Sequence, residues 1–135
     1  MRTAHFLRAV AALPTNPYPA STFSVGYVYL SATPHSNVSR CAAQAAPKGK
    51  GKPETSQIAG LRFAHGHDEQ KAICTIERDE IYTTLHKGAC YRFDLTMNNF
   101  CGGEVSGVKD VTPQELNTVL SRLESVVQTV RFDSK

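Results

Sequence analysis

The sequence predicts an α+β fold: an antiparallel sheet built on a central hairpin, flanked by an amphipathic C-terminal helix and shorter helices. Three observations carry this. Residues 72 to 97, AICTIERDEIYTTLHKGACYRFDLTM, place two runs rich in Ile, Thr, Tyr and Phe around His86-Lys87-Gly88, the pattern of strand, turn and strand. Residues 23 to 30, FSVGYVYL, form a second strand with apolar residues on both faces. Thr112-Pro113 then opens a run in which Leu116, Val119, Leu120, Leu123, Val126, Val127 and Val130 recur every three or four residues, the stripe of a helix.

Taken in order, residues 3 to 13 put Phe6, Leu7, Val10 and Leu13 at helical spacing and predict a short helix ended by Pro14. Three prolines between residues 14 and 19 make a rigid connector. Pro34 closes the strand that follows. Residues 37 to 46 predict a second short helix, capped by Ser36 or Asn37 and carrying Cys41 inward. The segment 47 to 53, within APKGKGKPE, is a flexible Lys/Gly loop whose lysines suit a phosphate contact less well than plain solvation. It is no phosphate-binding loop, because no Gly-Lys-Ser/Thr follows a strand.

Residues 57 to 64 predict a third strand, and the polar HGHDEQK (65 to 71) a turn into the hairpin. In the hairpin, a three-residue loop with Gly88 in the left-handed conformation sets Ile81 opposite Phe93 and gathers the apolar residues on one side. A two-residue loop would set Ile81 opposite Asp94. Residues 98 to 111 form a Gly-rich loop. Glu115, three after Thr112, completes a capping box, and the helix is expected to cover the Ile81, Tyr91, Phe93 face before yielding to an extended end near Thr129.

Length and composition bound the function. At 135 residues, with 41% hydrophobic and 20% charged residues, the chain is expected to be a single domain over 1-135 with a real core. No apolar run approaches the roughly 20 residues of a membrane-spanning helix, so integral membrane association is excluded. The formal net charge is +3, with six Lys or Arg and no acid before Glu54 and nine against twelve acids after it. The basic residues are scattered, which argues against nucleic acid as a partner.

Candidate chemistry is sparse. His65-Gly66-His67 offers two imidazoles on one side of an extended segment, the way a strand presents them to a metal, with Glu77, Asp79, Glu80 or His86 to complete the set. His65, His67 and His86 are the metal candidates, set against a solvated turn. Cys90 beside His86 has the elements of a thiol nucleophile but no evident acid or orienting Asn. Asp68-Glu69 and Asp79-Glu80 are adjacent in sequence and so face opposite sides of a strand. No catalytic or cofactor-binding residue follows.

Cys41, Cys74, Cys90 and Cys101 form no CxxC pair, and an even number of scattered cysteines fits disulfides in an exported protein. The three-residue turn places Cys74 opposite Phe100, and one bulge would bring it to Cys101, leaving Cys41 for Cys90. The alternative is four reduced thiols.

HKGACYRFDL followed by PQELNTVLSRLESVVQTVRF resembles the C-terminal part of small exported bacterial domains related to the PsbP subunit of photosystem II. The likeness covers residues 22 to 132 in layout, and 81 to 93 and 113 to 132 in residue pattern. It implies an antiparallel sheet with flanking helices in a domain that binds or scaffolds. Such domains begin with a further strand, so the N-terminal part here is expected to be incomplete and the uncovered sheet to pair as a homodimer. The functional expectation is a non-catalytic exported binding or scaffolding domain without cofactor; the rival is a small hydrolase or metal-dependent enzyme using His65 and His67.

Overall fold

The computed structural model describes residues 6 to 13, 15 to 46, 53 to 100, 108 to 130 and 132. Their order is β1 (Phe6–Ala12), β2 (Phe23–Thr33), α1 (Val38–Ala43), β3 (Glu54–Ile58), β4 (Leu61–Ala72), β5 (Thr75–His86), β6 (Ala89–Phe100) and α2 (Pro113–Val127). All six strands join one antiparallel sheet in the order β1-β2-β6-β5-β4-β3. The last four strands form a meander, and β6 returns to lie beside β2.

This corrects the α+β expectation. The fold is dominated by its sheet, with one long helix and one short one among the described residues. Two segments account for the difference. Residues 6 to 12, expected to be helical, pair with β2 as an edge strand, because long-range pairing outweighs the weak helical spacing of three or four apolar residues. HGHDEQK, expected to turn, continues β4 to Ala72, and the turn falls at Ile73-Cys74 instead. The strand expected over residues 57 to 64 is in fact two strands, joined by Ala59-Gly60 with both residues at positive φ.

The hairpin register also differs. Lys87 (φ 51°) and Gly88 (φ 79°) form a two-residue loop, so His86 pairs Ala89 and Ile81 pairs Asp94. Positive φ at both loop positions matches the twist of the strands, and that match outweighs the cost of Lys87 in the left-handed region. Tyr82 and Phe93 therefore share one face of the sheet, and Ile81 lies on the other.

Helix α2 packs on the Tyr82 and Phe93 face. Val119, Leu123 and Val127 are buried against Val28, Phe63, Phe93, Leu95 and Met97. Burial of each large side chain contributes about 1.5–3 kcal/mol. Thr112 accepts from the Glu115 backbone N–H at 3.1 Å while the Glu115 carboxylate accepts from the Thr112 backbone N–H at 2.9 Å, a complete capping box. The expected cover of Ile81 by this helix is corrected by the register: Phe93 lies beneath α2 and Ile81 does not.

Helix α1 lies on the opposite face. Asn37 caps it, accepting from the Arg40 backbone N–H at 2.8 Å. A Cys41–Cys90 disulfide ties it to β6, and the Thr83 hydroxyl donates to the Cys41 carbonyl at 2.8 Å. Ile81, Thr83 and Cys90 are buried beneath it. A Cβ at Gly66 would stand 1.5 Å from the Ala45 carbonyl oxygen, so only glycine lets the chain after α1 approach β4 this closely. Cys74 is also disulfide-bonded, whereas its expected partner Cys101 lies outside the described residues, as do most of the 47–53 loop and residues 101 to 107 of the Gly-rich loop.

Candidate functional site

The sheet gives the two faces different surroundings. Helix α2 covers the first; α1, six residues long, covers only the end of the second nearest the Lys87-Gly88 turn. Beyond α1 the second face carries Asp68, Glu77, Asp79, Asp94 and Asn98 beside Tyr27, Tyr29 and Phe100.

The sequence-predicted histidines lie on the α2 face near its β4 margin. Alternation along β4 puts His65 and His67 on one side, and their pairing with Tyr82 and Glu80 brings one carboxylate between them. Glu80 Oε2 is 3.5 Å from His65 Nε2 and 3.2 Å from His67 Nδ1. Ser56 Oγ lies 3.2 Å from His65 Nδ1, and the His65 ring stacks on Tyr82 at 4.1 Å. The hydrogen bond that His65 donates to Glu80 raises the His65 pKa, against the opposing effect of burial. Tyr82, buried in the core, has its pKa raised by burial and by Glu124, whose carboxylate its hydroxyl meets at 3.4 Å.

Of the four residues considered as a third ligand, only Glu80 joins the pair. Glu77 and Asp79 belong to β5, Glu77 and Asp79 pairing with Asn98 and Thr96 on the opposite face. His86 lies at the far end of β5, stacked on Phe132 at 4.6 Å. No three His, Cys, Asp or Glu among the described residues are grouped as a metal ion's ligands. Cys90 is closed in its disulfide and fully buried, which removes the thiol nucleophile reading.

The open face holds a second constellation that sequence reasoning missed. Asp68, Asp79 and Asp94 come from three neighbouring strands: Asp68 pairs directly with Asp79, and Asp94 is one step diagonal to it. Arg92 grips Asp94 with both arms of its guanidinium, Nε to Oδ1 at 2.7 Å and Nη2 to Oδ2 at 2.9 Å. Burial opposes the Arg92 charge, but this fork and the nearby aspartates leave its pKa raised. Asp79 is pushed up to about 9, first by burial and then by the hydrogen bond and charge of Asp94. Asp79 therefore keeps its proton at neutral pH and faces Asp94 as a hydrogen-bond donor.

Further from α1 the same face opens into a cleft of about 510 Å³, lined among others by Ser24, Gln70, Thr75, Glu77, Asn98 and Phe100. Tyr27 reaches the cleft from β2. Its hydroxyl donates to Glu77 Oε1 and accepts from Asn98 Nδ2, both at 3.5 Å, and burial raises its pKa. Its ring lies 4.6 Å from that of Tyr29, which is 37% exposed.

Alternation along each strand was the only signal for this face in the sequence. It groups Asp68 with Gln70, Glu77 with Asp79, and Asp94 with Asn98, but which groups meet depends on register. Comparison with protein-family models, with curated proteins and with solved structures gives no match. No helix among the described residues is long and apolar enough to cross a membrane.

Proposed function

We propose that the chain is an exported, non-catalytic binding domain whose ligand surface is the open face of the sheet. One observation carries the reading: a cleft of about 510 Å³, its wall largely apolar and set with Gln70, Glu77 and Asn98, lies on a sheet face that α2 does not cover. Ligand sites are concave, largely preformed and fitted with a few convergent polar groups. Here a continuous sheet supplies the rigid floor. The Cys41–Cys90 disulfide supports export, because disulfides persist in oxidising compartments. The resemblance to PsbP-like domains points the same way, toward binding, and a second copy pairing through a sheet edge belongs to the same proposal. The hydrolase reading has less support, since Glu80 already bridges His65 and His67 and His86 stands apart.

Amide chemical-shift mapping tests this with free amino acids, dipeptides and neutral saccharides, each at about 20 mM, a concentration that reveals millimolar binding. Shifts clustered at Tyr27, Glu77 and Asn98 are expected. Shifts confined to α2 or to the sheet edges, or none from any probe, would overturn it.

A further inference from the structure

We propose that the cleft and the tyrosine pair beside it bind a saccharide without acidic groups, an inference that rests on the open face being the binding surface. Sugar recognition needs three things together: an exposed aromatic ring for the C–H face of the pyranose, side chains that pair with neighbouring hydroxyls, and little net charge. The open face has each.

Tyr29 supplies the ring. It is 37% exposed and is held edge-on by Tyr27 at 4.6 Å, so its orientation is set before any ligand arrives. Asn98 and Gln70 carry primary amides, each a donor and an acceptor in one plane, which suits vicinal hydroxyls. The contacts that Tyr27 makes with Glu77 and Asn98 sit at the 3.5 Å limit, so a ligand hydroxyl between them gains shorter bonds than it displaces. Ser24, Gln70, Lys71 and Thr75 make no side-chain hydrogen bond or ion pair among the described residues, which leaves their capacity for a ligand.

Charge selects against anions. Around the cleft and the aspartates, Asp68, Glu77 and Asp94 stand against Arg92 and, at the margin of the cleft, Lys71, with Asp79 protonated, which leaves a slight negative excess. Arg92 is occupied by Asp94, so no free guanidinium remains there to hold a phosphate or carboxylate. A polyol meets no such repulsion.

The test is calorimetric titration of the full chain with maltotriose, cellotriose and the N-acetylglucosamine trimer, followed by amide shift mapping. At least one is expected to bind, moving the amides of Tyr27, Glu77 and Asn98. Tyr29→Ala, at a partly exposed position, should weaken that binding about tenfold while leaving the urea unfolding midpoint close to that of wild type. Asn98→Ala should weaken it in the same direction. If no trimer binds at about 20 mM but dipeptides move the same amides, the saccharide inference is overturned and the open-face reading stands. If neither class moves them, both fall. Binding unchanged by Tyr29→Ala and Asn98→Ala would also overturn the inference.

Discussion

Replacing Cys41 and Cys90 together by alanine isolates the contribution of one covalent link. The bridge closes a loop of 49 residues and joins α1 to the centre of the sheet. Loop-closure entropy in the unfolded chain then gives about 4 kcal/mol of stabilisation at 25 °C. Both residues are almost fully buried, so the lost packing of the two sulfur atoms adds to this. The double variant leaves the disulfide of Cys74 in place, which reduction would not. Urea unfolding followed by far-ultraviolet circular dichroism is expected to show a loss of about 4 kcal/mol, and thermal unfolding a midpoint lower by roughly 10 to 15 °C. A loss below about 1 kcal/mol with an unchanged denaturant slope would refute the reasoning, because α1 would then be held by its other contacts.

Three further outcomes follow from the same packing. The folded pKa of Asp79, about 9, exceeds its ordinary value of 3.8, so the stability it confers is complete below pH 4 and is lost as pH climbs through 9. Asp79→Asn keeps a permanent donor toward Asp94, and its advantage over wild type should grow between pH 5 and 8.5 in urea titrations by about 1.4 kcal/mol per pH unit, on the order of several kcal/mol in all; an equal difference at both pH values would contradict this. Gly66→Ala drives a methyl into the Ala45 carbonyl and should cost about 1–3 kcal/mol or more, with amide shifts concentrated in α1 and β4. Leu123→Ala empties the centre of the α2 interface, where Leu123 is 1% exposed, and should lower stability by about 2–5 kcal/mol in the same assay.

Much of the local structure was legible because it rests on short-range chemistry. The Thr112 and Glu115 capping box, a cap at Ser36 or Asn37, which the structure gives to Asn37, and the strand character of residues 23 to 30 are each decided within a few residues. What failed depends on distant partners. Residues 6 to 12 become a strand only because β2 offers an edge, and HGHDEQK stays extended only because β5 pairs it throughout. The site followed the same division. His65 and His67 were found by their spacing, but Glu80 was one carboxylate among several until pairing opposite His67 selected it. The aspartate cluster was hidden by the register of one turn: with Ile81 opposite Phe93, Asp94 falls out of reach of Asp79, and with Lys87-Gly88 as a two-residue loop it moves onto the same face.

The claim that binds these points together is that, among the described residues, the part of this sheet face beyond α1 stands open to solvent. A soluble gadolinium chelate, which relaxes protons in proportion to their nearness to water, measures this on the full chain. The ring protons of Tyr29 and the side-chain amide of Asn98 are expected to relax several-fold faster than the protons of Phe93, Leu95 and Leu123, which are buried under α2. Tyr29 and Asn98 protected to the same degree as Leu95 would contradict the account, because a second copy or another part of the chain would then cover the face.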